Sequence, residues 1–246
     1  KKIIFTKGII KMQTIDKYIV KEVNGEEYAM PNPLWQKHVQ ELKFDYFLKS
    51  SGIPDTYWNL NFEDVGFGMN ERPTAVCSQY VDKLKYGAKR NLMIYGNGFT
   101  GRTTILSNIG KRALKEGLKV KYIKSGNLLK IIQDSVDFNS SIKEEGLEKY
   151  NSLFKSDLLL IDDLFDPERN LMWKSESKSI IVQAWYNFLS EFLNKGNICF
   201  TTNIIKERIA NDYSNSLYNL IDGNFKVLEF KESVMEKRKK TLGLLT

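Results

Sequence analysis

Histidine and cysteine are almost missing from this chain: His38 stands alone, and Cys77 and Cys199 are the only thiols in 246 residues. That scarcity excludes a disulfide framework and any zinc site built on spaced Cys and His. Cys199 lies in the apolar run Ile198–Phe200, where a thiol acts as a small core filler. No stretch approaches 18 apolar residues, so a membrane-spanning helix is not expected. The N-terminus shows no signal-peptide apolar core, and a reducing, cytoplasmic compartment is the expectation. Proline is sparse, at five residues, and Pro31 and Pro33 mark the sharpest break in the pattern.

What the chain has in excess is positive charge, a formal +7. The excess is uneven: Lys1–Lys21 carry six lysines against one acid, and Lys231–Lys240 carry five bases against two. Uneven basic charge favours an anionic partner such as nucleic acid.

The most informative stretch is Asn91–Thr104, NLMIYGNGFTGRTT. Leu92–Tyr95 form a short apolar run, as in a parallel strand covered on both faces. Gly96, Asn97, Gly98, Phe99, Thr100, Gly101, Arg102, Thr103 and Thr104 then follow the spacing of a phosphate-binding loop, with Arg102 where lysine is usual. Glycines let successive N–H groups point at phosphate oxygens, and the helix beyond adds its positive end. Thr103 is expected to hold Mg²⁺ through its hydroxyl. A glycine loop alone is a weak signal; the strand before it and the amphipathic Ile105–Lys115 after it strengthen the reading.

A second motif, LLLIDD at Leu158–Asp163, is a buried strand ending in two acids at the sheet edge where open α/β folds bind ligands. Asp162 is expected to hold Mg²⁺ through water, and Asp163 to polarise an attacking water. A third piece, Phe200-Thr201-Thr202-Asn203, can place the Asn203 amide beside a terminal phosphate, although asparagine is also common as a strand-end turn residue. Around these, apolar strands alternate with amphipathic helices: strands at 119–124, 157–162, 197–202 and 226–230, helices at 128–136, 144–155, 177–193, 204–213 and 216–221, then a basic tail helix. Ile181, Ala184, Trp185, Phe188 and Phe192 mark the buried side of the long helix. The pattern predicts a parallel sheet with helices on both faces.

Upstream, Ile3–Met30 reads as β-like with an Asn24-Gly25 hairpin turn, and Leu34–Lys49 as a helix with Trp35, Val39, Leu42, Phe47 and Leu48 roughly on one face. Ile53–Val65 is irregular and aromatic, and Thr74–Lys85 is a helix. Tyr57, Trp58 and Phe62 could stack on bases, but clamping a linker onto its own domain is the favoured reading. The division expected is an N-terminal module at 1–49, a linker and lead-in helix at 50–90, and the nucleotide-binding core at 91–246.

The glycine loop, LLLIDDL and FTTN, in that order on alternating strands, resemble AAA+ ATPases. Within them the chain is similar to the helicase-loader family of DnaC, DnaI and phage counterparts, with IstB-type transposition helpers as relatives. Ser51-Gly52-Ile53-Pro54-Asp55-Thr56-Tyr57-Trp58 resembles that family's lead-in to the ATPase core. The resemblance implies an α/β P-loop AAA+ (ASCE) fold, a five-stranded parallel sheet with helices on both faces, a truncated lid, and a small N-terminal β/α module. It implies ATP/ADP and Mg²⁺ as cofactors, with Asp163, Asn203 and Arg102 as catalytic residues. It further implies a hexameric replicative helicase and single-stranded DNA as partners, with self-assembly. Val23–Pro31 resembles the zinc-ribbon hairpin of DnaI-like loaders without its cysteines, which implies a metal-free docking module. The chain departs from the family at Arg102 and in Asn211–Asn224, which holds no arginine finger; Arg238 is the nearest candidate for the C-terminal sensor arginine. A finger supplies a factor of about 10³–10⁵ in turnover, so weak hydrolysis is expected. An IstB-like ATPase on duplex DNA and a non-hydrolysing adaptor of the same fold are the alternatives. Lys111, Arg112, Lys115 and the tail Lys237-Arg238-Lys239-Lys240 are the expected DNA contacts.

Overall fold

A computed structural model of the chain describes residues 2–6, 9–13, 16–23, 26–87, 89–165 and 178–234. The chain divides into two compact units, Lys1–Ser50 and Ser51–Thr246. The stretch at 50–90, expected as a linker and lead-in, falls almost wholly in the second.

The first unit is two antiparallel hairpins and a helix. Strands β1 (Lys2–Thr6) and β2 (Ile9–Gln13) pair from Lys2↔Gln13 to Thr6↔Ile9, a hairpin that the sequence did not resolve from its neighbour. Strands β3 (Tyr18–Val23) and β4 (Glu26–Pro31) pair from Tyr18↔Pro31 to Val23↔Glu26. Asn24-Gly25, the expected turn, lies outside the described residues. Helix α1 (Pro33–Ser51) opens on a proline, whose missing N–H costs nothing in a first turn. Asn32 caps it: its side-chain oxygen accepts the Leu34 N–H at 3.0 Å, and its amide donates to the Asp16 carbonyl at 2.9 Å. Of the apolar residues expected on one face of α1, Leu48 is buried, whereas Leu42 and Phe47 are exposed.

In the second unit, two 3₁₀ turns (Asp55–Tyr57 and Phe62–Asp64) interrupt the aromatic segment, and α2 (Glu71–Lys85) begins three residues earlier than expected. Strand β5 (Asn91–Gly96) leads into α3 (Arg102–Lys115), β6 (Val120–Lys124), α4 (Ser125–Asp134), α5 (Ser140–Leu153) and β7 (Leu158–Asp162). Then come α6 (Lys178–Lys195), β8 (Asn197–Thr202), α7 (Lys206–Asp212), α8 (Asn215–Asn224) and β9 (Phe225–Phe230). The expected tail helix, with Arg238 and Lys237–Lys240, lies outside the described residues.

The five strands β5 to β9 form one sheet in the order β6-β7-β8-β5-β9, every neighbouring pair parallel, as the alternation of strands and helices predicts. Strand β7 is fully buried, as LLLID must be when helices cover both faces. Ile181, Trp185, Phe188 and Phe192 of α6 are each at most 2% exposed, while Ala184 is only partly covered. Burial of each such large side chain contributes about 1.5–3 kcal/mol. Helix α3 lies so close to the sheet that a methyl group on Gly110 would meet Leu160 Cδ1 at 2.6 Å and Ile53 Cδ1 at 2.7 Å. From β5 the chain crosses through α3 to the far edge at β6 and finally returns to β9 on the other side of β5. The strand order therefore reverses beside β5, where such sheets open a crevice at the strands' carboxyl ends.

Candidate functional site

Two segments lead into that crevice. The loop after β5 turns through Phe99 and Gly101, with φ of 64° and 82°, and delivers the first turn of α3. A methyl group on Gly101 would strike Val65 at 2.6 Å, so both the conformation and the space demand glycine. Thr100, nearly buried, donates its hydroxyl to the Asn97 carbonyl at 2.9 Å and so closes the loop on itself. The strand–turn after β7 presents Asp162, and then Asp163 in a left-handed conformation (φ 55°).

Together they enclose a cleft of about 450 Å³ lined by Tyr57, Gly98, Phe99, Thr100, Gly101, Arg102, Thr103, Thr104, Asp163 and Asn203. A groove of about 650 Å³ between α4, α5 and α6 is larger but mainly apolar, without a charged side chain among the described residues of its lining. Volume therefore does not locate the chemistry. The smaller cleft has the N-terminal turn of a 14-residue helix at its floor, where the first N–H groups have no acceptor within the helix and the dipole favours an anion.

Of the residues expected from the sequence, Gly98–Thr104, Asp163 and Asn203 meet in the cleft. Gly96 ends β5 at the root of the loop, and Asn97 contributes its carbonyl. Asp162 lies just behind, 2% exposed, where the Thr103 hydroxyl reaches both its oxygens at 3.1 and 3.2 Å. A hydroxyl and a carboxylate side by side are hard oxygen donors. They suit Mg²⁺, which takes one or two protein oxygens and completes its shell with water and phosphate oxygens. Arg102 lies along the loop, donating to the Asn97 carbonyl at 3.3 Å and standing 3.6 Å from Asp163 Oδ1, with both side chains about nine-tenths covered.

The roles of two residues, Tyr122 and Thr201, escape the sequence reading, and Tyr57, expected to clamp its own segment, takes a place in the cleft. The Tyr122 hydroxyl donates to Asp162 Oδ2 at 2.8 Å, and the Thr201 hydroxyl donates to Asp162 Oδ1 at 2.6 Å while accepting the Asp163 N–H at 2.8 Å. Burial first, and then the Asp162 charge, hold the Tyr122 phenol far above its ordinary value, so it stays a donor. Tyr57 comes from the lead-in segment to form one wall. The available signal was the pair Thr201-Thr202 inside an otherwise apolar strand, since buried hydroxyls require partners.

Lys111 and Arg112, expected as DNA contacts, engage partners within the protein. Lys111 is buried, and its ammonium donates to the carbonyls of Tyr57 at 2.9 Å, Trp58 at 3.0 Å and Leu60. Burial pushes its pKa below the usual lysine range, Lys115 adds to that, and Asp64 opposes. Arg112 pairs with Asp82 at 2.8 Å and bonds Ser78. Both fix α3 to its neighbours. Trp58 likewise turns inward, its indole donating to the Ile53 carbonyl at 2.9 Å, the clamping role expected of this segment.

The cleft is also tied to the end of the described chain. The Val234 N–H donates to the Phe99 carbonyl at 2.8 Å. Buried Asn70 accepts from the N–H groups of Lys231 and Glu232 and donates to the Glu232 carbonyl, while Glu232 Oε1 accepts the Met69 N–H.

Among known families, the bacterial DnaA ATPase domain matches residues 58–203. The chromosomal replication initiator protein DnaA of Campylobacter jejuni subsp. jejuni serotype O:6 is 33% identical over 109 residues, covering 43% of this chain and 23% of that protein. The chain thus spans less than a quarter of that relative's length. Of solved structures, the replication initiator DnaA bound to AMPPCP and single-stranded DNA superposes with a TM-score of 0.57 at 18% identity, covering 78% of this chain and 57% of that one. The DnaC helicase loader superposes with a TM-score of 0.52 at 19% identity, covering 72% of this chain and all of that one. These superpositions establish the fold, the five-stranded parallel sheet with flanking helices of AAA+ ATPases.

Proposed function

Since the chain belongs to the family of bacterial DnaA ATPase domains, we propose that it is a replication ATPase that binds ATP or ADP with Mg²⁺ in the cleft over Gly96–Thr104. The observation that carries this reading is the Thr103–Asp162 contact, which joins the phosphate loop to the acid pair across 59 positions of sequence. The first N–H groups of α3 and the Arg102 guanidinium would hold the phosphates. Thr103 and Asp162 would hold Mg²⁺, which supplies charge neutralisation between phosphate oxygens when bound. Asn203 and Asp163 flank the same cleft, where an amide and a carboxylate can orient and polarise a water.

Within that family the finer role we infer is helicase loading: engagement of a hexameric replicative helicase through Lys1–Lys49 and of single-stranded DNA through a basic surface. The exposed apolar residues of α1 support a protein partner for the first unit. A second reading is favoured by the Arg102–Asp163 pair. A guanidinium resting against the water-polarising carboxylate draws both away from a phosphoryl group, and catalysis of this kind depends on positioning. Nucleotide then serves as a slow switch, and the chain resembles an adaptor more than a motor.

Calorimetry on the pure protein tests the common ground. Mg·ADP should bind, and Thr103→Ala should weaken it several-fold; no heat with either ATP or ADP refutes the reading. Phosphate release tests the slow-switch version. Arg102→Lys should raise a slow rate modestly with little change in affinity, whereas brisk turnover by the unmodified chain, lost in Arg102→Lys, would mean that the loop is tuned around arginine.

A further inference from the structure

The Asp162 carboxylate accepts from three hydroxyls of three different elements. Thr103 reaches it from the loop, at 3.1 and 3.2 Å, and belongs to the nucleotide reading already given. The other two donors belong to neither the loop nor the cleft lining. Tyr122 comes from β6 and takes Oδ2; Thr201 comes from β8 and takes Oδ1. These strands flank β7 on its two sides, so one hydroxyl grips each carboxylate oxygen from opposite directions. The plane of the carboxylate is thereby fixed before anything binds.

We propose that Tyr122 and Thr201 are positioning residues for the metal, setting the orientation in which Asp162 meets a hydrated Mg²⁺ and thus the metal-dependent part of nucleotide affinity. The proposal rests on the nucleotide reading above and goes beyond it by dividing the affinity into a part that the loop supplies and a part that two remote hydroxyls supply. A carboxylate free to rotate offers its lone pairs to a metal-bound water only part of the time. One held at both oxygens offers them continuously. Loss of such a supporting hydrogen bond typically costs about 10–100-fold in metal affinity.

The two hydroxyls differ in one respect. Thr201 Oγ1 also accepts the Asp163 N–H at 2.8 Å, and the Leu164 N–H donates to the Thr201 carbonyl at the same distance. Thr201 therefore holds the left-handed turn that presents Asp163 as well as the acid before it. Tyr122 touches Asp162 alone of the pair. Tyr122→Phe should disturb metal binding only, while Thr201→Val should disturb metal binding and the placement of Asp163 together.

The test is titration calorimetry with ADP in Mg²⁺ and again in EDTA, on the full chain, for the unmodified protein, Tyr122→Phe, Thr201→Val and Thr201→Ser. Tyr122→Phe should weaken Mg·ADP about tenfold and leave metal-free ADP unchanged, because the loop that holds the phosphates is untouched. Thr201→Val should do at least as much, and Thr201→Ser, which keeps the hydroxyl, should restore affinity. Equal weakening with and without Mg²⁺ would show a packing role and overturn the proposal, as would unchanged affinity in Tyr122→Phe, a variant that preserves the ring and needs no repacking. If the unmodified protein binds ADP equally in Mg²⁺ and EDTA, the proposal falls with the metal part of the nucleotide reading; if it binds no ADP at all, the nucleotide reading itself fails, an outcome separate from the others.

Discussion

The two units of this chain are held in opposite ways. In Ser51–Thr246 the large side chains vanish between helices and sheet: Trp185, Phe192, Phe200 and Met93 are fully buried. In Lys1–Ser50, among the described residues, Leu48 is the buried apolar side chain, whereas Leu34 is 68% and Tyr46 69% exposed. Backbone ladders and the Asn32 cap give the smaller unit its shape, and two-stranded hairpins of that kind are marginal alone in water. One sequence thus contains a part that carries its own core and a part whose apolar surface is available to something else.

That contrast makes ordered predictions. Phe192→Ala in the core of the second unit should lose about 3–5 kcal/mol, read from the denaturant midpoint. A loss below 1 kcal/mol would mean that the core is looser than its burial implies. Lys111→Met should cost about 3 kcal/mol, because three carbonyls of the lead-in lose a charged donor at a buried site. If it instead lowers DNA affinity with the melting temperature unchanged, Lys111 acts at the surface after all. Phe47→Ala should change stability by no more than about 0.5 kcal/mol. Under the loader reading it should weaken co-elution with the replicative helicase; association undiminished in Phe47→Ala and in a 52–246 truncation would move the docking surface elsewhere.

The phosphate loop, the acid pair and Asn203 were legible because each is a local pattern: glycines where the backbone must turn, carboxylates and an amide where an apolar run stops. The five-stranded sheet followed from the same alternation. Lys111 and Arg112 were misread because their partners, the carbonyls at 57–60 and Asp82, lie well upstream of the helix, and a lysine on an amphipathic helix reads as solvated until such a partner is known. Tyr122 and Thr201 were passed over for a similar reason, since their roles exist only once β6, β7 and β8 lie side by side. Family assignment had its own limit. The loop, LLLIDD and FTTN are shared widely among AAA+ ATPases, so they carry the reading to that class; residues 58–203 match the DnaA ATPase domain, and the DnaC helicase loader shares the fold.

Beyond β9 the backbone is moored twice, by Asn70 at Lys231 and Glu232 and by the phosphate loop itself through Val234 and the Phe99 carbonyl. Phe99 stands at the crest of that loop in a left-handed conformation with little slack of its own. A displacement of Lys231–Val234 is therefore transmitted as tension to the rim of the cleft, with Asn70 as the fulcrum. Lys231–Val234 form a tether, and its load is borne by the loop at the rim of the cleft.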